Sequence, residues 1–275
     1  MQTQAKKEKT AVIEKPTFSV ASIIDQYGDA GLENVTANQM AMPFIKLISD
    51  ASYERRPGHE KHIEGAQTGM ICNSVTKKLY DGAKGILVVP CYYKFEYIEW
   101  KERGTGGVNA PVKIYSADSD IVSQTKRDAQ NRDRLPNGNY LEGTASHFIL
   151  LLNEDQSPHT SGLLTMSRTQ AKKSRKWNSM MRALPKIKNS KGDLVSQPSF
   201  SQVYRLSTVQ ESNGKGQWTG WAVNHVGPVT NQTAFKAAVD LYEACRKGVS
   251  VNYEEDMPTT TTETQPIAKS ESTPF

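Results

Sequence analysis

The sequence predicts a mainly β, α+β protein: an OB-like Greek-key barrel with helical insertions, flanked by a disordered N-terminal arm and a disordered C-terminal tail. Three observations predict it. Segments rich in β-branched and aromatic residues recur through the interior, separated by Gly- and Pro-containing turns. Only a few stretches carry apolar residues at helical spacing. Both ends hold few large apolar side chains that could pack.

Taken in order, residues 1–17 read as a basic arm, with Lys6, Lys7, Lys9 and Lys15 against Glu8 and Glu14. A helix is predicted over 20–27, and short strands over 44–48 and 68–74. The strongest strand is 85–100 (GILVVPCYYKFEYIEW), where Pro90 marks a bulge or an edge position. A helix is predicted over 119–134, then strands over 146–152 and 162–166, and a helix over 169–184. Strands over 200–208 and 217–226 flank Gly214-Lys215-Gly216, which reads as a hairpin turn. The last helix, 230–247, repeats Phe235, Ala238, Val239, Tyr242 and Cys245 on one face. Residues 250–275 read as an acidic tail, leaving 18–249 as a single domain with insertions.

Composition narrows the function classes. The 275 residues are 37% hydrophobic and 23% charged, which excludes fibrous and wholly disordered proteins. The longest apolar run, Ile86 to Cys91, is far shorter than the ~18 residues of a membrane-spanning helix. No signal peptide is visible at the polar N-terminus. Cys72, Cys91 and Cys245 are odd in number and far apart, which fits a reducing cytosol, and no CxxC pair offers a cysteine zinc site.

Charge distribution is more informative than the net +5. Residues 168–192 hold Arg168, Lys172, Lys173, Arg175, Lys176, Arg182, Lys186, Lys188 and Lys191, nine cations without one acid. Solvated faces ordinarily mix both signs; a one-sign run fits a polyanion, whose phosphates release counterions when neutralised. Trp177 lies inside the run and is placed to stack on an unpaired base. The alternative is that Trp177, Met180, Met181 and Leu184 form the buried side of a helix. On the strand at 85–100, Tyr93, Phe95 and Tyr97 alternate onto one face, and Tyr92, Lys94, Glu96, Ile98 and Trp100 onto the other. The second face mixes rings with a cation, so Tyr92, Lys94 and Trp100 are the binding candidates, continued by Lys101, Arg103 and the Gly104–Gly107 loop. The alternative is that both faces are packed, with Trp100 plugging one end of the barrel.

Arg55, Arg56, His59, Lys61 and His62 form a weaker phosphate-contact candidate, and an isolated HxxH is a weak metal signal. His147 and His225 are expected to be packed or hydrogen-bonded. Asp118, Asp120 and Glu142 would serve a metal-dependent nuclease, but acids near a helix start are ordinary caps. No HExxH, GxSxG or P-loop pattern occurs. The expectation is a protein that is not an enzyme and needs no cofactor or metal.

The chain closes on Lys269-Ser-Glu-Ser-Thr-Pro-Phe275. A basic, aromatic core followed by a polar tail ending in Pro-Phe resembles single-stranded-DNA-binding proteins of bacteria. That resemblance implies that Pro274 and Phe275 dock partner replication or recombination proteins such as a polymerase, helicase or nuclease. Here the acidic cluster Glu254-Glu255-Asp256 lies well before the tip. The segment from Phe44 to Gly107, FIKLISDASYE through KLYDGAKGILVVPCYYKFEYIEWKERGTGG, resembles a bacteriophage family of single-stranded-DNA-binding proteins. The resemblance implies an OB-type core acting in replication, recombination and repair in the cytoplasm of an infected bacterium. The expected activity is protection of single-stranded DNA with little sequence preference, by a monomer or a homo-oligomer. The competing expectations are a single-strand annealing recombinase and a phage nuclease.

Overall fold

The computed structural model describes residues 30, 31, 41–102, 111–214 and 216–248. The chain divides into two compact units, residues 1–40 and 41–275. Every described strand and helix belongs to the second unit. The arm at 1–17, the helix expected at 20–27 and the tail at 250–275 lie outside the described residues.

The architecture is the mainly β, OB-like one that the sequence predicts: a curled antiparallel half-barrel with two helices. Its backbone is β4 (Ile86–Trp100), which pairs along most of its length with β8 (Tyr140–Leu152). On its other edge β4 serves two neighbours, β12 (Gln202–Asn213) at Ile86–Val88 and β5 (Lys113–Ser116) at Glu96–Glu99. β8 likewise pairs on its far edge with β7 (Asp133–Arg134) near its start and with β9 (Pro158–Ser167) from Thr144 onward. β12 pairs antiparallel with β13 (Gly216–Pro228), as expected of strands that flank Gly214-Lys215-Gly216. β6 (Lys126–Arg127) completes the hairpin with β7.

A small sheet closes the curl. It contains β1 (Ile45–Leu47), β2 (Ile71–Asn73) and β3 (Leu79–Tyr80). On one side Leu163 N donates to Pro43 O at 2.8 Å and Phe44 bridges Leu163. On the other, Thr208 donates from its amide to Gly82 O and from Oγ1 to Gly69 O. A Cβ at Gly82 would lie 1.7 Å from the Gly69 carbonyl oxygen, so this junction accepts only glycine.

The bulge expected at Pro90 is present: the register with β8 slips between Pro90 and Tyr92. Cys91 and Tyr92 therefore both turn to the outer face. The inner face carries Ile86, Val88, Ala145, Ile149, Leu151, Leu164, Tyr204, Leu206 and Trp221. It is covered by α1 (Ala171–Arg182) through Trp177, and by Ile45 and Ile71 of the closing sheet. The outer face carries Leu87, Val89, Leu150 and Val203 and is covered by α2 (Gln232–Arg246) through Ala234 and Ala238. Further along, Ile98, Trp100 and Phe148 pack with Cys245 of α2. Asn231 caps α2, its Oδ1 accepting from Ala234 N at 3.0 Å. All three cysteines are free and buried, and burial pushes the Cys91 thiol up to about 12.

One predicted element is wrong. Residues 119–134 form no helix: a short 3-10 turn at Asp120–Gln124 leads into the β6–β7 hairpin. Asp128 Oδ1 accepts from the amides of Gln130 and Arg132, and Asn131 sits at φ 59°, so local turn chemistry overrides the helix. The strand β10 (Ile187–Lys188) pairs with β11 (Leu194–Val195) in an exposed hairpin after α1 that the sequence did not reveal.

Candidate nucleic-acid interface

α1 separates its residues by charge. Ser174 and Trp177 are buried against the sheet, and Lys172, Arg175, Lys176 and Arg182 are exposed at positions that share the opposite face. Lys186 and Lys188 follow, exposed on β10. Among the described residues none of these six is in a salt bridge. The first turn of α1 contains no acid. Lysines there sit at the positive end of the helix macrodipole, an arrangement that an anion relieves.

Two predicted cations are engaged elsewhere. Lys173 pairs with Glu211 at 2.6 Å, and Arg168, at φ 47°, pairs with Glu142. Burial pushes the Glu211 carboxyl up, but hydrogen bonds from Lys173 and Trp218 outweigh it and hold the group below its ordinary value.

The predicted rings need correction. Trp177 is fully buried, stacked on His147 at 4.6 Å and edge-on to Tyr204 at 5.7 Å, so its faces are closed to a base. Trp100 is only 8% exposed, within the cluster against α2. Tyr92 is half-buried against Phe148 and Tyr242. The alternation along β4 is as predicted, but its faces are exchanged: the Tyr92–Trp100 face is the one α2 covers. Lys94, exposed and paired with Glu96 at 2.6 Å, lies on that side as well, away from α1. Lys101 is exposed; Arg103, Pro274 and Phe275 lie outside the described residues.

The opposite stripe is the accessible one. Tyr93 is 40% exposed, and Phe95 and Tyr97 are partly so. Tyr93 packs on His147 at 5.1 Å, and His147 on Trp177, so this stripe adjoins the base of α1. Its aromatic alternation and the helix at 230–247 were both visible in the sequence; which face of β4 that helix covers was not.

His147 holds this junction together. Its Nε2 meets Ser174 Oγ at 2.8 Å, and burial drives its pKa down to about 3. The unfolded chain binds a proton near the ordinary value of about 6.5, the native state only near 3, so stability present above pH ~6.5 is lost as pH falls toward the folded value. Between pH 6.5 and 5, where carboxylates contribute little, we expect this residue to cost roughly 1 kcal/mol per pH unit. Urea midpoints at pH 7 and pH 5 should show a larger drop for the wild type than for His147→Gln.

A second feature lies beside the N-terminal end of α1. β7 leaves β8 at Leu141 and β9 joins it at Thr144, so Glu142 and Gly143 have no strand partner on that edge. A polar cleft of about 770 Å³ opens over this notch, lined by Arg127, Arg132, Tyr140, Arg168 and Trp218 among others. The guanidiniums of Arg132, Arg168 and Arg134 surround the Tyr140 ring at 5.4, 5.6 and 5.9 Å. Sequence reasoning missed this cleft because its arginines alternate with acids in RDAQNRDR and leave little net charge.

Elsewhere, His59 stacks on Tyr53 at 4.3 Å, and His62 Nδ1 meets Glu54 O. His225 Nε2 meets Gln202 Oε1 at 2.8 Å, as expected of a hydrogen-bonded histidine. Asp118 and Asp120 are not buried, and Glu142 engages Ser167 and Arg168. Among the described residues no three His, Cys, Asp or Glu side chains converge as metal ligands, and no helix is long and apolar enough to cross a membrane.

No curated protein and no solved structure matches the chain. A family model described as Pam3 phage gp34-like protein matches residues 7–250, most of the sequence. With an OB-like half-barrel carrying a cationic helix across its inner face, the chain belongs to the Pam3 phage gp34-like protein family.

Proposed function

We propose that this phage protein binds single-stranded DNA with little sequence preference, protecting it during replication, recombination and repair in the cytoplasm of the infected host. The observation that carries the reading is the exposed face of α1, where Lys172, Arg175, Lys176 and Arg182, continued by Lys186 and Lys188, form no salt bridge among the described residues. Exposed cations that no carboxylate pairs with repel one another, and a polyanion relieves that repulsion. Tyr93, with Phe95 and Tyr97 beside it, supplies ring surface for unpaired bases near that helix. Stacking thus moves from the rings on the α2 side to those on the α1 side. The reading involves no catalysis and no cofactor. The terminal Pro274-Phe275 dipeptide would recruit partner enzymes, by the resemblance that its sequence carries.

The test is anisotropy with single- and double-stranded DNA of equal length across a salt series. Single strands should bind more tightly, with log Kd rising linearly in log salt. Equal or tighter binding of the duplex, or no binding to either, would overturn the reading. Accelerated pairing of complementary strands would favour the annealing recombinase instead.

A further inference from the structure

We propose that the cleft over Glu142 and Gly143 receives one unpaired base of the bound strand, and that its chemistry fits guanine best. This rests on the single-stranded-DNA reading and adds to it a base-reading subsite.

The cleft differs from α1 in kind. Arg127, Arg132 and Arg168, which line it, each already have a carboxylate. Arg127 donates from Nε and Nη2 to the two oxygens of Asp133, at 2.9 and 2.8 Å. Arg132 pairs with Glu102 at 2.6 Å, and Arg168 with Glu142. A phosphate entering here would face Asp133 and Glu142 and would find each lining guanidinium already neutralised by a carboxylate. A base brings no charge, and the guanidinium–carboxylate pairs still present unused N–H donors beside unused oxygen lone pairs. Guanine alone among the four bases offers two adjacent N–H donors on one edge, which a carboxylate accepts, and two adjacent acceptors on another, which an arginine fork serves.

The wall is built for stacking. Trp218 is half-buried, and its Nε1 donates to Glu211 Oε2 at 3.0 Å; Glu211 Oε1 accepts from Lys173 Nζ at 2.6 Å. This chain fixes the indole and ties it to α1, the helix that would carry the phosphates. A Cβ at Gly220 would stand 2.4 Å from Glu211 Oε2, so glycine there leaves the carboxylate its place. Arg168, a lining residue, holds a φ of 47°. Non-glycine residues held in left-handed backbone concentrate at functional sites.

The test uses the full chain, an oligo-dT, and the same oligo with one central dG, dA or dC. The dG oligo should bind at least about fivefold tighter than oligo-dT, the low end of what one bidentate base contact supplies. Trp218→Ala and Asp133→Asn should each erase that preference and leave the salt slope on oligo-dT unchanged, because α1 is intact. Equal affinity of the wild type for all four oligos, or an equal gain with dA, overturns the inference while salt-dependent binding upholds the wider reading. Absence of salt-dependent binding to any oligo overturns both. A Trp218→Ala protein that flattens the oligo-dT salt slope also overturns the inference, by making the indole part of the phosphate track. Should either variant fail to fold, the wild-type comparison of the four oligos decides alone.

Discussion

Reversing Lys172, Arg175 and Lys176 together to Glu is expected to weaken binding to oligo-dT by about 100-fold at roughly 0.1 M salt. It should also flatten the log–log salt slope by about 2. Each phosphate contact on a single strand contributes a slope of about 0.7, and three are lost. All three side chains are outside any salt bridge among the described residues and lie on the solvent side of α1, so their removal disturbs no packing. Only Lys172→Glu lies in the first turn, where an acid suits the helix dipole, and it loses the attraction between Lys172 and Glu211, so thermal stability should change little. Binding thus falls while folding holds, and melting curves beside the titrations separate the two. Undiminished affinity would remove α1 from the interface.

The second large effect concerns Trp177. Trp177→Ala should destabilise the protein by about 3–5 kcal/mol, the usual range for deleting a buried large aromatic, seen as a melting temperature lower by ~2–4 °C for each kcal/mol. The indole is fully buried between His147 and Tyr204 and belongs to the core built on Ile45, Val88 and Leu206. Its Nε1 is buried without a hydrogen-bond partner among the described residues, so the loss is packing and ring contact. Below its melting temperature the variant should retain the wild-type affinity for oligo-dT. Weakened binding with unchanged stability would return Trp177 to the DNA surface.

These two residue sets come from one twelve-residue helix, and they show how far the sequence could be read. The run AKKSRKWNSMMR announces both a helix and a cationic face, since apolar and basic positions separate at helical spacing. It does not say whether Trp177 looks outward with the lysines or inward with Met181. That depends on the sheet beneath, which is remote in sequence. The same holds for β4: counting from Tyr92 sorts its side chains correctly onto two faces, but the choice of core face is made by α2, far later in the chain. The hairpin at 126–134 was missed for a different reason. Its fold is fixed by Asp128 accepting from two backbone amides and by left-handed Asn131, local signals that helix periodicity conceals. The cleft beside it was illegible because charges that cancel along the chain leave no compositional trace.

The fifteen residues of β4 run without interruption from the closed end of the curl, beside β12, to the flank bearing β5. A beam common to two rooms denies either an independent collapse. Damage at the core near Val88 is therefore expected to reach Glu96–Glu99, because β8 pairs with β4 along both stretches.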